Sequence, residues 1–272
     1  MAKRGPNFSR FILNCQQSER TETDWQFGDA VEASVVKDVT TAPDRKDLRR
    51  DWWNIRHQRK TGACVGFATA DGVLRWLYAR KKMIKKTDLP SPRFIWMANK
   101  ETDDITSYPT TFIESAGTST KSALRIAQRY GCVPEHMLPM DGTLSPLRPN
   151  VFFSIAAQFR ITAYYNLGRN LDEWRAWIAR SGPILTRLDV DETWKRATAT
   201  NGHLATYNPD KIYGGHAVCL VGYTKKHFIV RNSWGIDWGD KGFAYASNAY
   251  AEEAFDEAYG ATMGSKETQK AY

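Results

Sequence analysis

The chain has 272 residues, of which 42% are hydrophobic and 25% are charged; these shares are typical of a folded, soluble globular protein and exclude a disordered or fibrous chain. No stretch of 18 apolar residues is present, so the sequence predicts no membrane-spanning helix. The net charge of +8 includes basic clusters within residues 45–60 and 80–86, which give no clear nucleic-acid site and favour an acidic peptide or protein as partner.

The first 45 residues predict a polar N-terminal arm that contains one weak strand candidate, Ala30–Val36. Residues Met1–Pro6 lack the apolar stretch of a secretory signal. We therefore expect a protein that is cytoplasmic where it is made, or one that is exported by a route without a signal peptide.

Helical periodicity dominates the segment that follows the arm. Apolar residues between 64 and 82 recur at helical spacing and predict a long helix that begins at Cys64. Ser91 is a predicted N-cap with Pro92 in the first turn. A further amphipathic helix is predicted to end at Gly131.

Turn-forming residues between 133 and 149 predict a crossover between two halves, a mainly helical one over about 46–145 and a β-rich one over about 146–262. A polar, flexible tail is expected over 263–272. The elements predicted before the strongest strands are a strand over Ile155–Tyr165, a helix from Asn170 to about Ser181, a strand over Pro183–Val190 and a loop over 191–213. A strand over Gly242–Ser247 and a helical or irregular segment from Ala249 are predicted after them.

Two short apolar runs, Ala217–Val221 and Phe228–Val230, predict a buried hairpin. Such a hairpin brings His216 and Asn232 to the same end of the sheet. The Asn232 side-chain oxygen can then accept from one ring nitrogen of His216 and leave the other free to exchange a proton.

Cys64 is the predicted nucleophile for this histidine. The start of a helix favours a thiolate, and a neighbouring imidazolium favours it further. Gln58, six residues before Cys64, can offer an amide donor to the oxyanion that forms on attack, together with the Cys64 backbone N–H. A set of Cys64, His216 and Asn232 is typical of a nucleophile activated by a base that a third group orients.

This arrangement resembles the papain-like cysteine peptidases, in which Gln, Cys, His and Asn occur in this order. The resemblance includes the segment Asn232-Ser233-Trp234-Gly235 and looks closest to bacterial members of the family. Thr61 stands where the family has a half-cystine, and Val65 stands where it has Trp. The family's disulfide framework is therefore not expected here.

The resemblance implies an α+β, papain-like fold, with a helical left subdomain, a β-barrel-like right subdomain and the active site in the cleft between them. It also implies that Gly117, Thr118, Gly215 and Trp234 contact the substrate, and that the substrate pairs as a short antiparallel strand with the backbone at Gly117. The side-chain preference would come from the loops around 102–110 and 192–209. Residues 1–45 would form either a short pro-segment or a packed extension.

The four cysteines, Cys15, Cys64, Cys132 and Cys219, show neither the spacing of a metal site nor a dense disulfide framework. We expect no metal and no cofactor. The expected activity is that of a cysteine endopeptidase.

Three alternatives remain open at this level. The same triad can pass the acyl group to an amine, as in a transamidase or ligase. It can also serve a deamidase or deubiquitinase-like toxin that acts on one protein. In the third alternative the chain is an inert papain-like binding protein, although such a protein has no chemical reason to keep Gln58, Cys64, His216 and Asn232 together.

Overall fold

The computed structural model describes residues 11–36, 42–102, 117–141 and 147–264. Its helices are α1 (Phe27–Glu32), α2 (Cys64–Gly66), α3 (Arg75–Arg80), α4 (Pro92–Thr102), α5 (Thr120–Arg129), α6 (Pro149–Ala157), α7 (Leu171–Arg180), α8 (Thr193–Arg196) and α9 (Asn248–Ala254). Its strands are β1 (Lys46–Asp47), β2 (Ala163–Asn166), β3 (Ile184–Asp191), β4 (His203–Leu204), β5 (Ile212–Tyr223), β6 (His227–Arg231), β7 (Phe243–Ser247) and β8 (Phe255–Thr262). None of the helices in these ranges is long and apolar enough to cross a membrane.

The strands form one mixed sheet in the order β2-β8-β3-β5-β6-β7-β4, with β1 paired to β5. Among the pairs formed by these eight strands of the described residues, only β4–β7 is parallel. The α+β, papain-like fold class predicted from the sequence is confirmed, and the sheet is an open path that does not close into a barrel. Most of the sheet comes from residues after 162, while helices α2 to α5 come from the first half.

The central helix runs from Cys64 to Arg80 and consists of α2, a π-helical stretch over Phe67–Leu74, and α3. It packs against β5, and Gly72 makes the close approach possible, because a Cβ there would lie 2.3 Å from the Cys219 sulfur. The Cys219 thiol donates a hydrogen bond of 2.9 Å to the Ala68 carbonyl. All residues over Phe67–Leu74 are buried, so β5 and other elements cover this stretch from several sides.

The predicted caps set the limits of two helices. The Ser91 hydroxyl accepts from the Phe94 backbone N–H at 3.0 Å and so caps α4. Gly131 follows α5 with a φ of +89°, and its N–H donates to the Ile126 carbonyl. Only glycine adopts this left-handed conformation readily, which is why the helix ends there.

Two predicted strands are wrong in whole or in part. Ala30–Val36 is not a strand, since α1 covers Phe27–Glu32 and begins with a reciprocal cap between Gln26 and Asp29. The predicted strand over Ile155–Tyr165 is divided between the end of α6 and the start of β2. Short apolar runs fit helix and strand equally well. The reciprocal cap of α1 and the proline at the start of α6 favour the helices.

The structure also contains elements that the sequence did not reveal. The predicted loop over 191–213 contains α8 and β4, and the segment after Ala249 continues from α9 into β8. Strand β8 is rich in small and acidic residues, which are poor strand formers. Its place is fixed by packing instead: a Cβ at Gly260 would lie 2.0 Å from the Trp177 ring.

Some predictions fall outside the described residues. These are most of the predicted loop over 102–110, the tail from 265 onward, and the ends of the arm at 1–10 and 37–41. The division into two halves at about residue 146 stays a prediction.

Candidate active site

Cys64 is the first residue of α2 and is completely buried, with 0% of its surface exposed. The Phe67 N–H donates to the Ala63 carbonyl at 2.9 Å, so the helical hydrogen-bond pattern begins just before the thiol. The central helix therefore fixes the backbone that carries the Cys64 thiol.

His216 lies in β5 and Asn232 directly follows β6, in a hairpin whose register pairs Cys219 with Arg231. The His216 Nε2 and Asn232 Oδ1 atoms are 2.8 Å apart. Asn232 Oδ1 also accepts from the Ser233 backbone N–H at 2.8 Å, which fixes the amide. An acceptor at Nε2 places the Nε2–H tautomer there and leaves Nδ1 for the thiol.

Aromatic rings cover the His216–Asn232 pair. The Trp234 ring centroid lies 4.6 Å from that of His216, and Trp194 meets the imidazole edge-on at 5.7 Å. Both tryptophans are buried. Excluding water strengthens the hydrogen bond that orients the imidazole.

The pKa of Cys64 lies well below its usual value. The largest cause is a hydrogen bond from the Cys15 thiol, followed by the opposing effect of burial, the hydrogen bond and charge of His216, and a hydrogen bond from the Ala217 backbone. Together these donors outweigh burial, which by itself would keep the thiol neutral. The site can therefore hold Cys64 as a thiolate.

Gln58 is held by hydrogen bonds at both ends of its side-chain amide. Its Nε2 donates to the Thr61 carbonyl at 2.9 Å, and its Oε1 accepts from the Ser233 hydroxyl at 2.7 Å. The backbone N–H of Gln58 donates to the Ser233 carbonyl at 2.8 Å. Because Nε2 carries two hydrogens, one is left to donate to an oxyanion beside Cys64.

A buried ionic network lies beneath the site and joins its parts. Asp71, inside the central helix, accepts from Arg231 at 2.6 Å and from Arg75 at 3.2 Å. Arg231 also donates to the Asn54 carbonyl, and Arg75 donates to the Asn54 side chain. Since Arg231 precedes Asn232, this network ties the helix of the thiol to the strand that ends at the amide.

The N-terminal arm passes directly over these residues. Its Phe11 ring stacks on Trp234 at 4.1 Å between centroids, with an angle of 7°. The Cys15 N–H donates to the Gly215 carbonyl at 3.0 Å, and the Gln16 N–H donates to the Thr118 carbonyl at 3.1 Å. We call residues 11–17 the cleft segment.

Glycines let the cleft segment approach this closely. A Cβ at Gly117 would lie 1.9 Å from the Asn14 carbonyl oxygen, and one at Gly215 would lie 2.1 Å from the Cys15 carbonyl oxygen. All four residues predicted to contact substrate, namely Gly117, Thr118, Gly215 and Trp234, thus meet the cleft segment. The structure brings them together with Cys64, His216, Asn232 and Gln58 around one cleft.

The cleft segment runs in a defined direction, from Trp234 past Cys64 to Thr118. Gln16 forms a parallel bridge with Ser119, and Asn14 forms one with Gly215. The sequence resemblance implies that a substrate pairs antiparallel with the backbone at Gly117. The segment therefore lies opposite to the direction expected of a substrate.

Polar contacts anchor the arm on both sides of the cleft. Arg187 Nε donates to the Cys15 carbonyl at 3.2 Å, and Arg187 also pairs with Asp189 and Asp256. Beyond the cleft, the Ser18 hydroxyl donates to Glu257 at 2.6 Å, and the Lys121 ammonium donates to the Arg20 carbonyl at 2.6 Å.

Sequence reasoning missed several residues of the site. Cys15 and Phe11 carry no local pattern that predicts contact with Cys64 or Trp234. Ser233 could have been found, because it lies next to Asn232 in the segment Asn232-Ser233-Trp234-Gly235, on which the resemblance rests. Within the described ranges, no group of three or more His, Cys, Asp or Glu side chains is placed to hold a metal ion.

Comparisons with known proteins identify the family of the chain. Residues 42–259 match the family model described as papain family cysteine protease. Cathepsin J of Mus musculus is 27% identical over 215 residues, which are 74% of this chain and 59% of that protein. A cysteine protease of Blomia tropicalis is 26% identical over 230 residues, which are 82% of this chain and 66% of that protein. The chain thus spans about six tenths of the length of these relatives.

Solved structures show the same fold. Xylellain, a cysteine protease from Xylella fastidiosa, superposes with a TM-score of 0.76 at 19% identity and covers 97% of this chain and 98% of its own. Recombinant stem bromelain precursor superposes with a TM-score of 0.59 at 18% identity, covering 97% of this chain and 78% of its own. The cleft segment lies before residue 42 and therefore outside the family match.

Proposed function

Because this chain belongs to the papain family of cysteine proteases, we propose that it hydrolyses peptide bonds through a thioester on Cys64. The observation that carries this proposal is the Cys64 thiol of lowered pKa in contact with His216, whose Nε2 lies 2.8 Å from Asn232 Oδ1. Asn232 orients the imidazole and does not exchange a proton.

In the proposed reaction the Cys64 thiolate attacks the carbonyl carbon of the scissile peptide. The oxyanion accepts hydrogen bonds from the Cys64 N–H and from the second hydrogen on Gln58 Nε2. His216, as imidazolium, protonates the leaving amine, and then as neutral imidazole it removes a proton from the water that hydrolyses the thioester.

The proposed substrate is an extended peptide held by main-chain hydrogen bonds. The Thr118 and Gly215 carbonyls, which now accept from the cleft segment, would accept from the substrate instead. The Trp234 ring would contact a substrate side chain on the leaving-group side of the scissile bond. The net charge of +8 favours an acidic peptide or protein.

We further propose that the chain folds in a latent form. The cleft segment occupies the positions of a substrate, but in the opposite direction, so that its carbonyls are not presented to Cys64 for cleavage. Activity then requires that the segment be displaced or removed. The residues before the family match would thus act as a short pro-segment.

The experiment that tests the proposal is covalent labelling with an epoxysuccinyl peptide, followed by peptide mass mapping and assays with fluorogenic peptides. It compares the full chain with a chain that begins at Ser18, which keeps the Ser18–Glu257 and Lys121–Arg20 contacts. We expect the shorter chain to be labelled at Cys64 and to cleave peptides, and the full chain to react slowly.

Cys64→Ala and His216→Ala in the shorter chain are the controls, and both should abolish labelling and cleavage. Labelling that does not depend on His216, or a shorter chain that is labelled but cleaves no peptide, would contradict the proposed function.

A further inference from the structure

The arm places a second thiol against the nucleophile. Cys15 is 3% exposed and Cys64 is 0% exposed, both are free cysteines, and their side chains share a hydrogen bond. Peptide hydrolysis has no use for a second thiol at this point. The position of Cys15 beside Cys64 is therefore not explained by peptide hydrolysis.

The backbone around Cys15 holds its sulfur in this position. The Cys15 N–H is bound to the Gly215 carbonyl, the Cys15 carbonyl accepts from Arg187, and the next residue is bound to Thr118. Each time the cleft segment closes, the same register returns the Cys15 thiol to Cys64. A resolving cysteine has to return to one place beside the oxidised thiol, and this backbone register provides that.

The two thiols also differ in the way that disulfide chemistry requires. The pKa of Cys64 is lowered by the hydrogen bond from Cys15 and by His216, whereas burial and the interaction with Cys64 raise the pKa of Cys15. When the segment is open the Cys15 donor is absent, but His216 and the start of the central helix still favour a thiolate at Cys64, so Cys64 is the thiol that an oxidant attacks first.

We propose that Cys15 and Cys64 are a site of reversible disulfide formation, driven by a hydroperoxide, that locks the cleft segment over the nucleophile. This inference rests on the proposed function for its biological meaning, although the chemistry can be tested without it. The disulfide links the cleft segment covalently to Cys64, and reduction of the disulfide allows the segment to leave the cleft.

The reaction has two steps. The Cys64 thiolate attacks one oxygen of hydrogen peroxide, an S–O bond forms, the O–O bond breaks, and hydroxide leaves. The Cys15 sulfur then attacks the Cys64 sulfur of the sulfenic acid, the S–S bond forms, the S–O bond breaks, and the Cys15 proton leaves with the hydroxyl as water. The two sulfurs together lose two electrons, which reduce the peroxide.

Burial determines the order of these steps. Peroxide reaches Cys64 when the cleft segment is open, and closure then delivers Cys15 and excludes further peroxide. Oxidation therefore stops at the disulfide instead of continuing to the irreversible sulfinic acid. Because Cys64 is a thiol of low pKa, it is a good leaving group when a thiol reaches and attacks the Cys15 sulfur.

The other two cysteines do not share this environment. Burial raises the pKa of both Cys132 and Cys219 to about 12. The Cys132 thiol lies 3.6 Å from the Ser91 carbonyl, and Cys219 donates to Ala68. Cys132→Ser keeps a hydrogen-bond donor and is the matched control for Cys15→Ser.

The test treats the reduced full chain with hydrogen peroxide, alkylates the remaining thiols, digests the protein and maps the peptides. We expect a linked peptide pair that contains Cys15 and Cys64 and is two hydrogens lighter than the separate peptides. Dithiothreitol should remove the link and restore alkylation of Cys64. Cys132→Ser should behave in the same way.

Cys15→Ser should form no linked pair, and its Cys64 should oxidise to a sulfinic acid that dithiothreitol does not reverse. Irreversible oxidation of Cys64 in the unmodified chain, or a link between Cys15 and any other cysteine, would overturn the inference. The mapping on the unmodified chain does not depend on whether the variant folds.

Two further outcomes separate the inference from the proposed function. If the chain that begins at Ser18 cleaves peptides but the full chain never forms the link, the inference fails and the function stands. If the link forms and is reversed but the shorter chain cleaves nothing, the disulfide site stands and the peptidase proposal fails.

Discussion

At the scale of single residues, the state of Cys64 depends on a balance between burial and hydrogen bonding. Full burial opposes a thiolate, while the Cys15 thiol, the imidazole of His216 and the Ala217 N–H favour it. The strongest of these, Cys15, belongs to the arm and not to the catalytic set. The protonation of the nucleophile is therefore coupled to the position of the arm.

Replacing Cys15 tests this coupling. Cys15→Ala removes a donor that stabilises the thiolate, so the pKa of Cys64 should rise. The rate of Cys64 alkylation by iodoacetamide, measured against pH, should then have its acid limb at higher pH than in the unmodified chain. An acid limb that stays in place or moves to lower pH would show that Cys15 does not stabilise the thiolate.

Gln58 should contribute to the transition state more than to substrate binding. In the chain that begins at Ser18, Gln58→Ala should lower kcat by about 100- to 1,000-fold, or ~2.7–4 kcal/mol, as expected when an oxyanion donor is lost. The exposed Gln158, directly after α6, offers the matched control, and Gln158→Ala should leave kcat unchanged. A Gln58→Ala variant with normal kcat and raised KM would assign Gln58 to ground-state binding instead.

At the scale of elements, the central helix and β6 are joined by Asp71. Its carboxylate pairs with Arg75 and Arg231, and all three side chains are buried. Removing one partner of a buried ion pair leaves the other charges without compensation. The network therefore fixes the positions of Cys64 and Asn232 relative to each other.

Asp71→Asn should lower the free energy of unfolding by about 3–5 kcal/mol, because two buried guanidinium groups lose their carboxylate. Urea unfolding of the full chain measures this, and Asp51→Asn at an exposed position is the control. If both variants unfold at the same urea concentration as the unmodified chain, the network does not stabilise the fold.

At the scale of the whole molecule, the arm and the papain-family domain form one packed unit. Phe11 and Cys15 of the cleft segment belong to the same hydrophobic core as Phe27, Ala30 and β5. The cleft segment is also held by its backbone hydrogen bonds to Gly215 and Thr118 and by the Phe11–Trp234 stack. Opening of the cleft therefore requires these contacts to break.

Phe11→Ala should favour the open cleft. An aromatic stack contributes about 0.5–1.5 kcal/mol, so the epoxysuccinyl probe should label Cys64 about two- to tenfold faster in the full chain. Phe153→Ala, at an exposed position on α6, removes a ring of the same size elsewhere. Equal labelling rates in both variants would mean that the stack does not hold the cleft closed.

The sequence was sufficient for features that depend on local signals. Helical spacing after Cys64, the Ser91 cap, the Gly131 stop and the β-branched hairpin runs each lie within a few residues of the element that they determine. The identity and order of Gln58, Cys64, His216 and Asn232 were also readable, because the resemblance to a known family rests on residue types and spacing.

Only the tertiary structure determined the path of the arm and the pairing of β8. The hydrogen bonds of an extended segment are made to residues far away in the chain, as when Cys15 pairs with Gly215, so no local pattern specifies them. The sequence by itself thus determined which groups are proposed to perform the chemistry. The tertiary structure decided that a second thiol lies against the nucleophile, because that contact depends on how distant backbone segments pack together.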